Sequence, residues 1–461
     1  MYSSELYSKI RTGVIPPFVY TYPPRSAYRP LTDSLSLQEI WTEDRRHSST
    51  SELNLYLHVP FCSYKCGFCN LYTLTSRDTS LMSHYVTAML AELAAHDFVF
   101  EDRTLRTIYI GGGTPSLLPL SDFDRIFKQI DVLAPQWRRT VEEVCIEASP
   151  DSLDTPKGVG KLARLKDLGL TRVNLGVQSL AQGELRHAGR NRANVDRIYN
   201  AIDTIRAVDI VNLSTDLIIG FENQTDESWQ TSVEDLVSLR PETISTYFLT
   251  IRPDAWFSCT GHYDYSRAGS LYDRYDVAHD AFLSAGFAQE SNVRYKLADG
   301  GYRQKVLQFH GVPVLGVDLG ARTYTNTVDY LRWTPLEPRH LALKRYMESS
   351  GKSLTVNFGF IYSPEERLRK RLALDLFELD VAETAAFVGV DRHMFEVDLT
   401  TLIERGMACL DGSVYRLTER GYKYRDIISW HFFSDNVKRL DDEYYAGLDR
   451  VGPRLIPLSV T

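Results

Sequence analysis

The sequence predicts an α/β fold, a partial (βα)6 barrel followed by a helical, winged-helix-like module. Three observations predict it. Six short apolar or β-branched runs recur between residues 54 and 250, segments with helical spacing alternate with them, and the unusual polar motifs fall at or after the ends of the runs. Alternating strand and helix implies parallel strands joined by right-handed crossovers, and such barrels place their chemistry at the C-terminal ends of the strands.

The first fifty residues contain PPFVYTYPPRSAYRPL. Prolines fix φ and favour extended chain, so 1–50 reads as an arm lying on the main body. The barrel occupies 51–255, with strands NLYLHV (54–59), TIYIGG (107–112), EVCIEA (143–148), RVNLGV (172–177), NLSTDLIIG (212–220) and TISTYFLT (243–250). Helical spacing marks Tyr85 to Ala95, Ser121 to Leu133, Val159 to Leu168, Val195 to Val208 and Glu227 to Leu239. Over 256–360 the alternation decays into aromatics, glycines and turns around GVPVLGVDLGARTYT, which reads as a separate connecting region supplying a substrate wall. Helical patterns dominate 361–440, where TLIERGMACLDGSVYRLTERG reads as helix, short hairpin and new helix start; 441–461 reads as a tail.

A chain of 461 residues needs two or three packed units. Hydrophobic residues at 43% and charged residues at 24% are ordinary for a globular protein and exclude a fibrous or disordered class. No apolar run is long enough to cross a bilayer, and MYSSELYSKIRTG lacks a signal core, so the expected location is the cytoplasm, without a membrane partner. A net charge of −8 gives no general attraction to nucleic acid, and the one dense basic run, Arg367 to Arg371, reads as a solvated helix face.

Six cysteines are too sparse for a disulfide framework, yet three stand in Cys62-Ser-Tyr-Lys-Cys66-Gly-Phe-Cys69, directly after the first strand. Three thiolates can fill three iron positions of a cubane and leave the fourth iron open to an exchangeable ligand, a vacancy that the amino and carboxylate groups of S-adenosylmethionine (SAM) suit. Zinc on the three cysteines plus His58 is the alternative, and a purely structural cluster is another. Cys145, Cys259 and Cys409 are isolated and read as small packing residues. Gly111, Gly112 and Gly113, followed by Thr114 and Pro115, allow a close backbone approach at the second strand end. Glu147, Gln178, Arg190 and Asp216 together offer carboxylates, an amide and a guanidinium fork.

Taken together, YLHVPFCSYKCGFC, GGGTPS, EASPDSL, RVNLGVQSL, GRNR and DLIIGFENQT resemble the HemN-like radical SAM family, tightly over 51–255 and more loosely in the YTYP segment and the C-terminal module. The type member is oxygen-independent coproporphyrinogen III oxidase, and relatives include haem chaperones, anaerobic haem-degrading enzymes and class C radical SAM methyltransferases. The resemblance implies a 4Fe–4S cluster on Cys62, Cys66 and Cys69, reductive cleavage of SAM to a 5′-deoxyadenosyl radical, an electron donor such as flavodoxin or ferredoxin, and a small-molecule substrate. It implies contacts from Tyr56, Gly112 and Glu147 to the cluster-bound SAM. Phe68, Gly113, Thr114, Gln178, Arg190, Asp216 and Thr250 correspond to contacts with a second SAM. No side chain is assigned a catalytic role.

Departures from the type enzyme shape the functional expectation. Leu71 stands where the oxidase has a further cysteine, Arg322 stands where it has an apolar SAM contact, and YRQKVLQFHG replaces the His-Asn pair of the haem chaperones. Methyl or alkyl transfer to an unsaturated carbon is therefore the leading expectation. Oxidative decarboxylation of coproporphyrinogen III and non-catalytic haem carriage are the alternatives.

Overall fold

The computed structural model describes residues 19–190, 194–250, 255–257, 271–332, 338–349 and 355–451. Six parallel strands form the barrel wall: β1 (Glu52–Val59), β2 (Thr104–Gly112), β3 (Glu143–Ala148), β4 (Arg172–Gln178), β5 (Asn212–Ile219) and β6 (Thr243–Phe248). They lie side by side in chain order. Helices α1 (Thr79–Ala94), α2 (Leu120–Leu133), α3 (Gly158–Asp167), α4 (Val195–Arg206) and α5 (Asp226–Ser238) connect them. All match the expected elements, although α1 begins six residues earlier than its apolar spacing suggests, because Asp78 caps the amides of Ser80 and Leu81.

The two-residue period of each strand separates two environments. Leu53, Leu55, Leu57 and Val59 of β1 are fully buried in the main core with Ile108, Ile110, Val144, Ile146, Val173 and Leu175. Each such side chain stabilises the fold by about 1.5–3 kcal/mol relative to exposure. The alternate residues face the barrel lumen and are polar or aromatic: Tyr56 and His58, Tyr109, Glu143 and Glu147, Arg172 and Asn174, Asp216. Tyr56, Tyr109, Cys145 and Tyr302 form a cluster of their own, apart from that core.

Residues after the barrel, expected as a separate region, instead extend the same sheet at both edges. Val314–Val317 pairs parallel with β1, and Arg294–Lys296 pairs antiparallel with β6, within a thirteen-stranded sheet. These strands are three or four residues long, too short for periodicity to reveal them.

The N-terminal segment also departs from a simple arm. Residues 29–47 fold into a strand, Arg29–Ser36, paired with Thr355–Ile361, and a helix, Leu37–His47, opened by a Ser36–Glu39 capping box. Upstream, Val19, Tyr22, Ala27 and Tyr28 are buried in the core of the C-terminal module. Arg425 of that module donates to the Val19 carbonyl at 2.6 Å, and Asn292 reaches Asp426 at 3.3 Å. The segment is thus clasped between barrel and module.

The module has helices Pro364–Asp375, Val381–Val388, Glu396–Glu404 and Arg425–His431. Its three-stranded sheet contains the hairpin Ala408–Asp411 and Val414–Leu417, giving the expected helix-and-wing outline. The final helix, Asp435–Val451, crosses the boundary at 441 where a tail was expected. The basic run is not a freely solvated face. Lys370 donates to Asp329 at 3.1 Å and to the Thr325 carbonyl at 2.9 Å, and Arg369 donates to the Phe432 carbonyl at 3.0 Å. Among the described residues, no helix is long and apolar enough to cross a membrane.

Candidate active site

The cysteine loop leaves the C-terminal end of β1 and is tied down by backbone. Gly113 donates to the Val59 carbonyl and Thr114 to the Phe61 carbonyl, both at 2.7 Å, while Gly67 donates to the Ala188 carbonyl at 2.9 Å. Ser63 Oγ adds a bond to Asp151 at 2.6 Å. A Cβ on Gly113 would sit 2.6 Å from the Phe61 carbonyl oxygen, and one on Gly112, which has φ +108°, would strike the His58 ring at 2.4 Å. These two glycines therefore let protein groups approach: β2 must pass directly under the cysteine loop.

Cys62, Cys66 and Cys69 are all half-buried free thiols. Burial pushes the Cys62 and Cys69 thiols up, and the neighbouring thiols raise them further. The trio lacks the positive charge that bound iron supplies. Among the described residues, no three His, Cys, Asp or Glu groups converge on an ion-sized point. His58 is committed elsewhere, with Nε2 2.9 Å from the Tyr72 carbonyl and Nδ1 3.1 Å from the Tyr56 hydroxyl. Burial holds its pKa at about 4, so the ring is neutral near pH 7. With both His58 nitrogens engaged by Tyr56 and Tyr72, the loop offers three thiols and no free imidazole, a donor set that suits three corners of a cubane better than a zinc ion with His58 as fourth ligand.

Below the loop, Glu147 accepts from the Tyr109 hydroxyl and from the Gly112 amide, each at 2.7 Å. Asp216 accepts from Asn174 Nδ2 at 2.9 Å. Burial raises both carboxyls; Tyr109 and the Gly112 amide offset the rise at Glu147 while Asp216 adds to it, Asn174 and the lumen arginines offset it at Asp216, and neither carboxyl makes an ion pair among the described residues. Arg190 donates to Cys66 Sγ at 3.4 Å and to the Gly176 carbonyl at 2.6 Å, and does not pair with Asp216. Gln178 adopts φ +71°, a left-handed conformation that is uncommon outside glycine, beside Gly176 and Arg190. Thr114 Oγ1 lies 3.6 Å from Cys62 Sγ. Phe68 packs 6.0 Å from the Phe221 ring. Thr250 Oγ1 turns back to the Phe248 carbonyl at 3.4 Å.

The thirteen residues singled out in the sequence thus gather at one end of the barrel. Their neighbours in the lumen did not stand out. Tyr109 stacks 5.8 Å from Tyr56 and 5.2 Å from Tyr302, and the guanidinium groups of Arg172 and Arg294 sit 4.3 and 4.9 Å from the Tyr302 ring. A two-residue count back from Gly111 and Asn174 finds Tyr109 and Arg172, whereas nothing in the local sequence marks Tyr302 or Arg294. A cavity of about 450 Å³ opens at the opposite end of the strands, between Glu143, Arg172, Asn212 and the module's Phe377, away from the cysteines. Cys145 is buried as expected, with Arg172 donating to its sulfur at 3.5 Å. Cys409 is exposed on the wing and is not a packing residue; Cys259 and residues 191–193 of the GRNR segment lie outside the described residues.

The chain is similar to known proteins in both sequence and fold. Residues 56–236 match the model of the radical SAM superfamily. The chain is 29% identical over 285 residues to the heme chaperone HemW of Synechocystis, covering 58% of this chain and 65% of that relative, just under two thirds of its length. It is 23% identical over 398 residues to HemW of Lactococcus lactis, covering 83% of this chain and 97% of the relative. In fold it is similar to coproporphyrinogen III oxidase (HemN) from Escherichia coli, with a TM-score of 0.72 at 18% identity over 90% of this chain and 97% of that one. Residues 56–236 thus match a radical SAM domain, a superfamily that implies a 4Fe–4S cluster and SAM, within a chain similar in sequence to heme chaperones and in fold to HemN.

Proposed function

We propose that the protein cleaves one SAM reductively and uses the radical on the methyl group of a second SAM, so that the carbon is added to an unsaturated carbon of a small organic substrate. Cys62, Cys66 and Cys69 would hold the cluster. When bound, that cluster supplies the single electron that splits the first SAM into methionine and a 5′-deoxyadenosyl radical, the electron coming from a flavodoxin- or ferredoxin-like donor. The observation that carries the two-SAM reading is the presence of two half-buried carboxylates in the lumen, Glu147 and Asp216, neither ion-paired among the described residues. SAM is cationic at its sulfonium and ammonium centres, and a buried carboxylate is stabilised by such a partner.

The protein's own groups set the stage. Tyr109 and the Gly112 amide fix the Glu147 carboxylate in the lumen. His58 orients the Tyr56 hydroxyl beside it. Arg190 fixes the Cys66 sulfur and, through Gly176, the end of β4. Turnover with methyl-deuterated SAM tests the reading: deuterium should appear in 5′-deoxyadenosine, and label-free 5′-deoxyadenosine under turnover sinks it.

A second reading, haem handling, is favoured by the names of the heme chaperone relatives. Tight stoichiometric haem binding without SAM cleavage would select it. Formation of protoporphyrinogen and carbon dioxide from coproporphyrinogen III would select the decarboxylase instead.

A further inference from the structure

We infer that the cluster is fed by an acidic, flavin-carrying electron-transfer protein that docks where the cysteine loop meets the helix Arg339–Ser349, with Leu71 and Leu341 at the centre of its footprint and Lys344 and Arg345 at the rim. This rests on the cluster proposed for Cys62, Cys66 and Cys69, and it names the surface through which that cluster receives its electron.

Leu71 is the point where the cysteine loop comes back to the surface. It stands two residues after Cys69, it is 46% exposed, and its amide hydrogen-bonds the Cys69 sulfur. A carrier resting on Leu71 is therefore separated from a proposed cluster ligand by two residues of chain and one hydrogen bond. The next two residues fasten the loop to the helix. The Tyr72 hydroxyl donates to the Arg339 carbonyl at 2.6 Å, and the Arg339 guanidinium donates to the Thr73 carbonyl at 3.3 Å. The start of the helix Arg339–Ser349 is thus held beside Leu71.

That helix has two distinct faces. Ala342, Leu343 and Tyr346 are buried in the main core, while Leu341, Lys344, Arg345 and Glu348 are exposed. Their helical spacing puts those four on one face. Leu341 is 46% exposed, the same as Leu71, so two large apolar side chains meet water on neighbouring segments. Around them stand three cations, Arg339, Lys344 and Arg345, against one carboxylate, Glu348, whose contact with Lys344 at 4.0 Å is solvent-exposed and weak.

The occupant follows from charge and position. The chain as a whole carries a net charge of −8, so an acidic protein is repelled on average and is steered in only where the local sign reverses. An apolar centre within a charged rim is the anatomy of a protein–protein footprint. A nucleic acid would engage the three cations and gain nothing from the leucines. One-electron carriers form small, weak complexes of this size, and the apolar centre suits a flavin, which can meet a partner through the dimethylbenzene edge of its ring. The step is a single electron transfer: the reduced flavin loses one electron and the cluster gains it, with no bond made or broken and no proton passed between the proteins.

The test uses anaerobically reconstituted holoenzyme and photoreduced flavodoxin as the probe, with cluster reduction followed by stopped-flow bleaching of the iron–sulfur absorbance. Raising the salt from about 50 to about 500 mM should slow the reaction about tenfold or more. Lys344→Glu with Arg345→Glu should slow it roughly ten- to a hundredfold at low salt and flatten the salt dependence, while Leu71→Ser with Leu341→Ser should slow it about tenfold and keep that dependence. Lys128→Glu, at an exposed site of α2, should leave the rate unchanged, and dithionite should reduce every variant at the wild-type rate. An unchanged flavodoxin rate in either double variant, an equal loss in Lys128→Glu, or an equal loss with dithionite overturns the inference. So does a ferredoxin that shows this residue dependence when flavodoxin does not. Failure of the surface with a normal cluster and normal deuterium transfer from methyl-labelled SAM overturns only this inference. Normal residue dependence without deuterium transfer overturns the methyl chemistry and leaves the surface standing, and zinc in place of the cluster overturns both.

Discussion

Glu147→Gln removes one charge from the centre of the lumen while keeping the shape of the side chain. The wild-type carboxylate already accepts two hydrogen bonds at 2.7 Å, from Tyr109 and the Gly112 amide. Its remaining lone pairs can take a ligand ammonium. A charge-assisted hydrogen bond of that kind is worth about 1.5–3 kcal/mol, so the variant should bind SAM roughly 10- to 150-fold more weakly. Burial raises the Glu147 carboxyl, partly offset by those two bonds. Below the raised pKa the site carries a proton that a cationic ligand must displace, so wild-type SAM affinity should climb with pH until Glu147 is ionised and then level off. The stability of the ligand-free protein runs the other way: the contribution of a raised carboxyl is present at low pH and lost as pH rises through the folded-state value. The Gln variant should flatten both slopes. Equilibrium dialysis of SAM against anaerobically reconstituted protein, from about pH 5 to about pH 8, measures the first, and thermal unfolding of the ligand-free protein the second. An affinity within twofold of wild type with a parallel pH profile would refute the placement of Glu147 at SAM.

Three further outcomes are expected. Anaerobically purified protein should be brown with about four irons and four sulfides per chain, lost in Cys62→Ala, Cys66→Ala or Cys69→Ala; stoichiometric zinc in place of iron would contradict the cubane. Arg190→Ala should keep the cluster but lower its reduction potential in an EPR-monitored titration, since the donor 3.4 Å from Cys66 Sγ stabilises the reduced form, while Asp216→Asn should leave the potential alone and abolish product. Arg103→Met should destabilise the fold by about 3–5 kcal/mol in denaturant titration by removing the ionic partner 2.6 Å from Asp44, both side chains being almost fully buried; the double variant with Asp44→Leu should recover only part of that loss, because Asp44 also accepts from the Asn326 amide at 2.7 Å and from its side chain at 3.0 Å.

The barrel was legible because its six strands and five helices each carry their own periodicity, and because a parallel barrel gathers the residues at its strand ends into one place. Cys62, Gly112, Glu147, Gln178 and Asp216 are far apart in sequence but share that end of the sheet. What stayed hidden was whatever depends on a partner distant in the chain. The strands Arg294–Lys296 and Val314–Val317 are too short to carry a pattern and exist because β6 and β1 offer unpaired edges. The Leu37–His47 helix had a readable start in Ser36 and Glu39, yet the prolines just upstream outweighed it.

Arg190 shows the same limit at a single residue. Its sequence context offers a guanidinium fork, and Asp216 on the neighbouring strand invites an ion pair. The fold instead sends Arg190 across to the cysteine loop, where Gly176 and Cys66 supply its acceptors, and leaves Asp216 to Asn174. The exchange is physically consistent: the Cys66 sulfur and the Gly176 carbonyl offer the buried guanidinium two acceptors, whereas burial inclines the Asp216 carboxyl toward its neutral form. Among the described residues Asp216 then has no ionic partner, and in the proposed two-SAM reading a cationic ligand would complete it. The chamber is thereby charged for its ligand by where Arg190 goes, and that choice is written in the Gly67–Ala188 backbone contact that brings the two segments together.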